Sequence, residues 1–178
     1  MKKLSSLVLL VSIFLLSACT TTYQNTNPIN MKFPSVTGET LEKDVVTMPQ
    51  HFSGRPVVLL LGYVQNSQFD IDRWLIGLDM TKTVVDAYEL PAIAGMFPQF
   101  FETQINNGMR KGIPKELWKG VITLYKDGEL IQKFTGNENP NNARVVLLDS
   151  SSNVVYFYDR GFSVNALNQL RSSLAKLD

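Results

Sequence analysis

The chain has 178 residues, 44% of them hydrophobic, with 17 basic residues against 16 acidic ones. That supports one domain with a proper core, and the near-zero net charge excludes the concentrated positive footprint that nucleic-acid binding needs to displace phosphate counterions. The single cysteine, Cys19, excludes an internal disulfide framework and any multi-cysteine metal set.

In chain order, Lys2 and Lys3 precede an apolar stretch from Leu4 to Leu16 that three serines interrupt. It is too short and broken for a comfortable membrane span and has the form of a secretory leader. Its end, Leu16-Ser17-Ala18-Cys19, resembles the lipobox of bacterial lipoproteins. That resemblance implies a signal peptide over residues 1–18, lipidation of Cys19 and a membrane-anchored mature chain. Thr20 in place of an aspartate implies the outer membrane of the cell envelope. The alternative is an ordinary secretory leader cut at a small-residue site. Loss of Lys2 and Lys3 turns the formal charge from +1 to −1. Acyl chains at about 0.8 kcal/mol per buried methylene hold such a protein on a bilayer essentially permanently, and a lipidated Cys19 leaves no thiol for redox or metal chemistry.

No charged residue lies between Lys3 and Lys32, and Thr20 to Asn30 is rich in Thr and Asn and broken by Pro28. Residues 19–30 therefore read as a lipidated cysteine and a flexible tether with a reach of roughly 40 Å. The domain proper is expected over 31–178.

Val57 to Leu61 (VVLLL) is a continuous apolar run expected for a strand buried on both faces. Ile71, Trp74, Leu75 and Leu78 then mark an amphipathic helix, and Thr83 to Tyr88 a second strand. A helix is expected over Pro98 to Asn106, with Phe100, Phe101 and Ile105 on one face, and a short helical turn over Pro114 to Lys119. VITLYK and ELIQKF flank Asp127-Gly128, which predicts a β-hairpin. Arg144 to Leu148 and Val154 to Tyr158 flank DSSSN as an antiparallel pair. The final helix starts after Ser163 as N-cap, with Val164, Leu167, Leu170, Leu174 and Leu177 as its stripe and Phe162 and Leu167 as a hydrophobic staple.

This order is that of the thioredoxin fold. Phe33, Pro34, Gly38 to Leu41, Phe52 to Pro56 and VVLLL resemble the opening hairpin and first core strand of its peroxiredoxin-like branch, and RVVLLDSSSNVVYFYDRGFS resembles its last two strands. The implied fold class is α/β: a thioredoxin-like central mixed sheet flanked by helices, with an inserted β-hairpin over 120–135. A narrower likeness, carried by Gly62 to Gln65 and Trp74, is to the mitochondrial ATP synthase assembly factor family. The superfamily's attacking cysteine sits at the first helix N-terminus, where free amides and the helix dipole lower a thiol pKa. Here Gln65, Asn66, Ser67, Gln68, Phe69 and Asp70 take that place, and Asn142 and Ala143 stand where thioredoxins carry a cis-proline.

Ser67 to Asp70 fits a capping box, in which the serine accepts a first-turn amide and the acid reaches back. Serine catalysis is disfavoured because His51, the only histidine, falls at the other end of the strand. Asp70 and Asp72, two apart, point to different helix faces. An anion site at the helix N-terminus with Arg144 is a further reading, set against Arg144 pairing with Asp70 or another carboxylate. Met48 and His51 do not complete a metal set. Tyr63, Phe69 and Trp74, and the 95–118 segment with Phe97, Phe100, Phe101 and Trp118, are candidate partner-binding aromatics or core.

The expectation is a lipid-anchored envelope protein, without cofactor or metal, whose redox-inactive domain binds a protein partner, in assembly of an envelope complex. The candidate binding residues are Tyr63, Gln65, Ser67, Gln68, Asp70 and Arg144. A small-molecule or anion carrier is the alternative, and a non-thiol enzyme the third.

Overall fold

The computed structural model describes residues 21–177; the leader, the lipobox and Cys19 lie outside them. Strands β1 (Val36–Thr40) and β2 (Val45–Met48) form the opening hairpin. They are followed by β3 (Val57–Gly62), helix α1 (Gln68–Met80), β4 (Asp86–Pro91), α2 (Met96–Phe100) and α3 (Glu102–Gly112). The short β5 (Ile122–Thr123), α4 (Gly128–Thr135), β6 (Arg144–Leu148), β7 (Val154–Tyr158) and α5 (Val164–Leu174) complete the chain.

The main sheet has the order β4-β3-β6-β7, and β2-β1-β5 form a second, antiparallel sheet. β3 runs parallel to β4 and antiparallel to β6. Every residue of β3 is buried, because the strand is central and covered on both faces. Side chains alternate across it: Val57, Leu59 and Leu61 join one core with Phe33, Met48, Phe52, Leu124 and Ile131. Val58 and Leu60 join the other with Trp74 of α1 and Leu167 and Leu170 of α5. The predicted β6, β7 and α5 are found at their predicted residues, including the side-chain cap at Ser163, whose Oγ accepts from Ala166 N–H at 3.1 Å.

Three expectations are corrected. The second strand starts at Asp86 instead of Thr83. The intervening residues close α1: Lys82 adopts φ 49°, its N–H reaches Asp79 O at 2.8 Å and Thr83 N–H reaches Leu78 O at 3.0 Å. These are the paired bonds of a Schellman cap.

The segment 128–135 is a helix, not the second arm of a hairpin. Its buried positions Gly128, Ile131, Gln132 and Thr135 recur at helical spacing, and adjacent Leu130 and Ile131 already break strand alternation. Asp127 accepts from Thr37 N–H at 2.7 Å. A Cβ on Gly128 would stand 2.6 Å from Ile93 O, so the glycine serves a close helix approach and not a turn.

Residues 21–30 are no free tether: they lie on the domain. Asn137 N–H donates to Tyr23 O at 3.0 Å, and Tyr23 N–H donates to Asn137 Oδ1 at 2.7 Å. Thr26 N–H reaches Thr135 O at 3.1 Å, and Asn25 and Glu138 exchange two backbone-to-side-chain bonds of 3.1 Å. Gly136, at φ 76°, lets the strap pass: a Cβ there would meet Asn25 Cα at 2.3 Å.

Candidate functional site

The carboxyl end of β3, the start of β6 and the end of β7 coincide, because Leu61 pairs with Arg144 and Val145 with Tyr158. The loop into α1, the loop before β6 and the loop before α5 therefore meet at one end of the sheet. Asp70 ties them together. Its two carboxylate oxygens accept Ala143 N–H at 2.9 Å and Phe162 N–H at 2.7 Å, and it is 5% exposed. The capping box is accordingly not formed. Ser67 makes no side-chain cap bond; its buried Oγ donates to Val64 O at 2.7 Å. The acid is held away by two loop amides that no other described residue satisfies.

Arg144 neither pairs with Asp70 nor faces an open anion site. It is fully buried. Its guanidinium donates to Asn139 O at 2.6 Å, Asn142 O at 2.8 Å and Asn25 Oδ1 at 3.3 Å, and it lies 4.9 Å from the centre of the Tyr63 ring. Burial lowers its pKa, opposed by the neighbouring Tyr63 and Asp159. The Tyr63 hydroxyl is bonded to Thr135 Oγ1 and Ile131 O, and burial raises its pKa. Tyr63 and Arg144 thus form a buried polar unit under the N-terminal strap, in which Arg144 Nε alone of the guanidinium nitrogens has no partner among the described residues. Gln65 is exposed. Gln68 donates to Asp72 at 2.9 Å and to Glu89 at 3.0 Å, and burial raises the Glu89 pKa despite that bond. Trp74 is core; Met48 is wholly buried, and His51 packs edge-to-face against Phe52 and Tyr88. Phe100 and Phe101 are exposed, and the Trp118 indole N–H donates to Ile113 O at 2.9 Å. The Phe97 side chain lies outside what is described.

Beside Asp70 opens a cleft of about 450 Å³, lined by Asn66, Phe69, Arg73, Asn142 and Arg160 over an Asp70 floor. Phe69 is 70% exposed. Arg73 lies one helical turn along the same α1 face, and Arg160 comes from the loop before α5, its guanidinium 5.1 Å from the Tyr158 ring centre. Among the described residues neither arginine is ion-paired. The cleft thus combines two free guanidinium groups, side-chain amides and one apolar anchor. Phe69 was weighed from sequence as an interface or core residue. Arg73 was legible as its i+4 neighbour, whereas Arg160 carries no local signal.

No protein-family model and no curated protein matches the chain. Solved structures do. The thiol peroxidase from Chromobacterium violaceum is 12% identical over 89% of this chain and 93% of its own, with a TM-score of 0.58. BsSco, a member of the Sco family of cytochrome c oxidase assembly proteins, is 10% identical over 85% and 96%, also at 0.58. A SCO1/SenC family lipoprotein from Bacillus anthracis is 12% identical over 86% and 99%, again at 0.58. The fold is thioredoxin-like.

Proposed function

We propose that this chain is a lipid-anchored envelope protein, tethered through Cys19 in the outer membrane, whose thioredoxin-like domain holds a protein partner in the Asn66–Arg160 cleft without thiol chemistry. The observation that carries this reading is the meeting of two arginines, neither ion-paired among the described residues, with an exposed phenylalanine at the end of the sheet where three loops meet. Such a surface suits a segment that offers a carboxylate to the guanidinium groups and an apolar side chain to Phe69. Asp70 holds the three loops in register and so positions the cleft. The one cysteine of the chain is Cys19, and acylation of it leaves no thiol to exchange.

A role in assembling an envelope complex is supported by the shared fold of BsSco, described as a member of a family of assembly proteins. Anchorage is supported by the Leu16-Ser17-Ala18-Cys19 sequence and by the SCO1/SenC neighbour being a lipoprotein. Among the described residues no helix is long and apolar enough to cross a membrane. The test is photo-crosslinking in living cells with a probe at Phe69 and a control probe at exposed Gln169 on α5. A discrete adduct from position 69 alone is expected; equal silence at both positions, in folded and anchored protein, contradicts partner binding at the cleft. The free arginines also suit a small anionic ligand. In that case Phe69→Ala leaves calorimetric binding of the anion intact, whereas Arg73→Ala abolishes it.

A further inference from the structure

We infer that the face built by residues 21–26 and α4 lies directly on the bilayer surface, so that the lipid anchor fixes the orientation of the domain as well as its location. This rests on the lipidation of Cys19 proposed above. A long flexible leash leaves a domain free to tumble, and residues 19–30 read as one in the sequence. The structure removes most of that leash. Tyr23 is held by two bonds to Asn137, and Thr21 O accepts from Asn137 Nδ2 at 2.9 Å. Asn25 is bonded to Glu138 and Arg144, and Thr26 by its N–H to Thr135 O and by its hydroxyl to Phe134 O at 2.8 Å. The docked chain therefore begins two residues after Cys19, a span of at most about 7 Å. That is comparable to the depth of a lipid headgroup layer, which is about 5 to 8 Å on each side of the hydrocarbon core.

The chemistry of the face fits that location. Tyr23 presents a ring with a polar tip, Lys133 Nζ lies 5.4 Å over that ring, Leu130 is 44% exposed, and Lys126 is exposed just before α4. Tyrosine and lysine are side chains that place an apolar body against lipid and a polar end in water. Of the acids beside this face, Glu129 accepts from Lys133 at 2.9 Å and from the Tyr23 hydroxyl at 2.6 Å, and Glu138 accepts from Asn25 N–H at 3.1 Å. The two bonds to Glu129, the tyrosine's first, hold its carboxyl below the usual range. Arg144 connects this face to the cleft, with one guanidinium nitrogen on Asn25 and the other on Asn142 O.

The experiment uses the full acylated protein in vesicles of phosphatidylethanolamine and phosphatidylglycerol. With Cys19 blocked by lipid, Leu130→Cys and Val84→Cys each supply one labelling site; Val84 is 95% exposed in the turn after α1, away from the strap. A fluorophore at position 130 should be quenched several-fold more than one at 84 by lipids carrying a headgroup-level nitroxide. Insertion of ten Gly/Ser residues between Thr20 and Thr21 should abolish the difference. Equal quenching at 130 and 84 in protein whose mass shows acylated Cys19 overturns the orientation and leaves the anchor standing. A mass showing unmodified or absent Cys19 overturns both.

Discussion

Two helices in this protein begin with the same kind of sequence and are started in different ways. At α5, Ser163 accepts from Ala166 N–H, three residues on. At α1, Ser67 and Asp70 have the right spacing for a reciprocal cap, yet Ser67 donates to Val64 O and Asp70 reaches Ala143 and Phe162, 73 and 92 residues away. A cap is local and can be read locally. A carboxylate placed where loops converge is claimed by whichever buried amides lack partners, and those are set by the sheet topology. The start of α5 fixes one helix, whereas the start of α1 joins three loops and shapes the cleft.

The comparison is sharpened by substitutions at the two starts. Asp70→Ala strands two amide donors and should cost about 2–4 kcal/mol, lowering the Tm by roughly 5–15 °C for a domain of this size. A local cap at Asp70 would instead cost about 1 kcal/mol, so calorimetric melting distinguishes the two. Ser163→Ala, which removes a true N-cap, should cost about 1 kcal/mol, read from urea midpoints at unchanged slope. Ser67→Ala should cost less than Ser163→Ala, below about 1 kcal/mol, since Val64 O keeps the Ser67 N–H bond. A loss equal to that at Ser163 would restore the capping box.

The smallest effect is on pH dependence. Burial raises the Glu89 pKa above its ordinary 4.5, so the folded state holds a proton that the unfolded chain releases. The stability from this group is complete below about 4.5 and is lost as pH rises through the folded value. Glu89→Gln should flatten that slope between pH 4 and pH 7, measured by urea unfolding at both.

The parts of the fold that were legible in sequence are those whose determinants are neighbours. VVLLL, a short continuous apolar run after Gly54 and Pro56, pointed to a two-face buried strand, and DSSSN between two apolar runs pointed to the β6–β7 turn. The 120–135 segment misled because Asp127-Gly128 is a strong turn signal taken out of context: the glycine is needed for approach to Ile93, and the aspartate for Thr37. The strap was illegible because Thr- and Asn-rich sequence codes equally for a solvated tether and for side chains that meet Asn137 and Glu138. The start of α1 lies where the sequence places it, at Ser67 to Asp70. Arg144 was misplaced: as the first residue of an inner strand it goes into the core beneath Tyr63, and the outward-facing guanidinium groups are Arg73 and Arg160.

The central claim is that the cleft beside α1 receives an acidic partner segment. It is tested most directly by photo-crosslinking from position 69 in cells that carry Arg73→Glu together with Arg160→Glu, beside the otherwise unchanged chain. Both side chains are exposed and free of ion pairs among the described residues, so the melting temperature should hold while the adduct falls at least tenfold. An adduct of undiminished yield from a folded double variant would contradict the account.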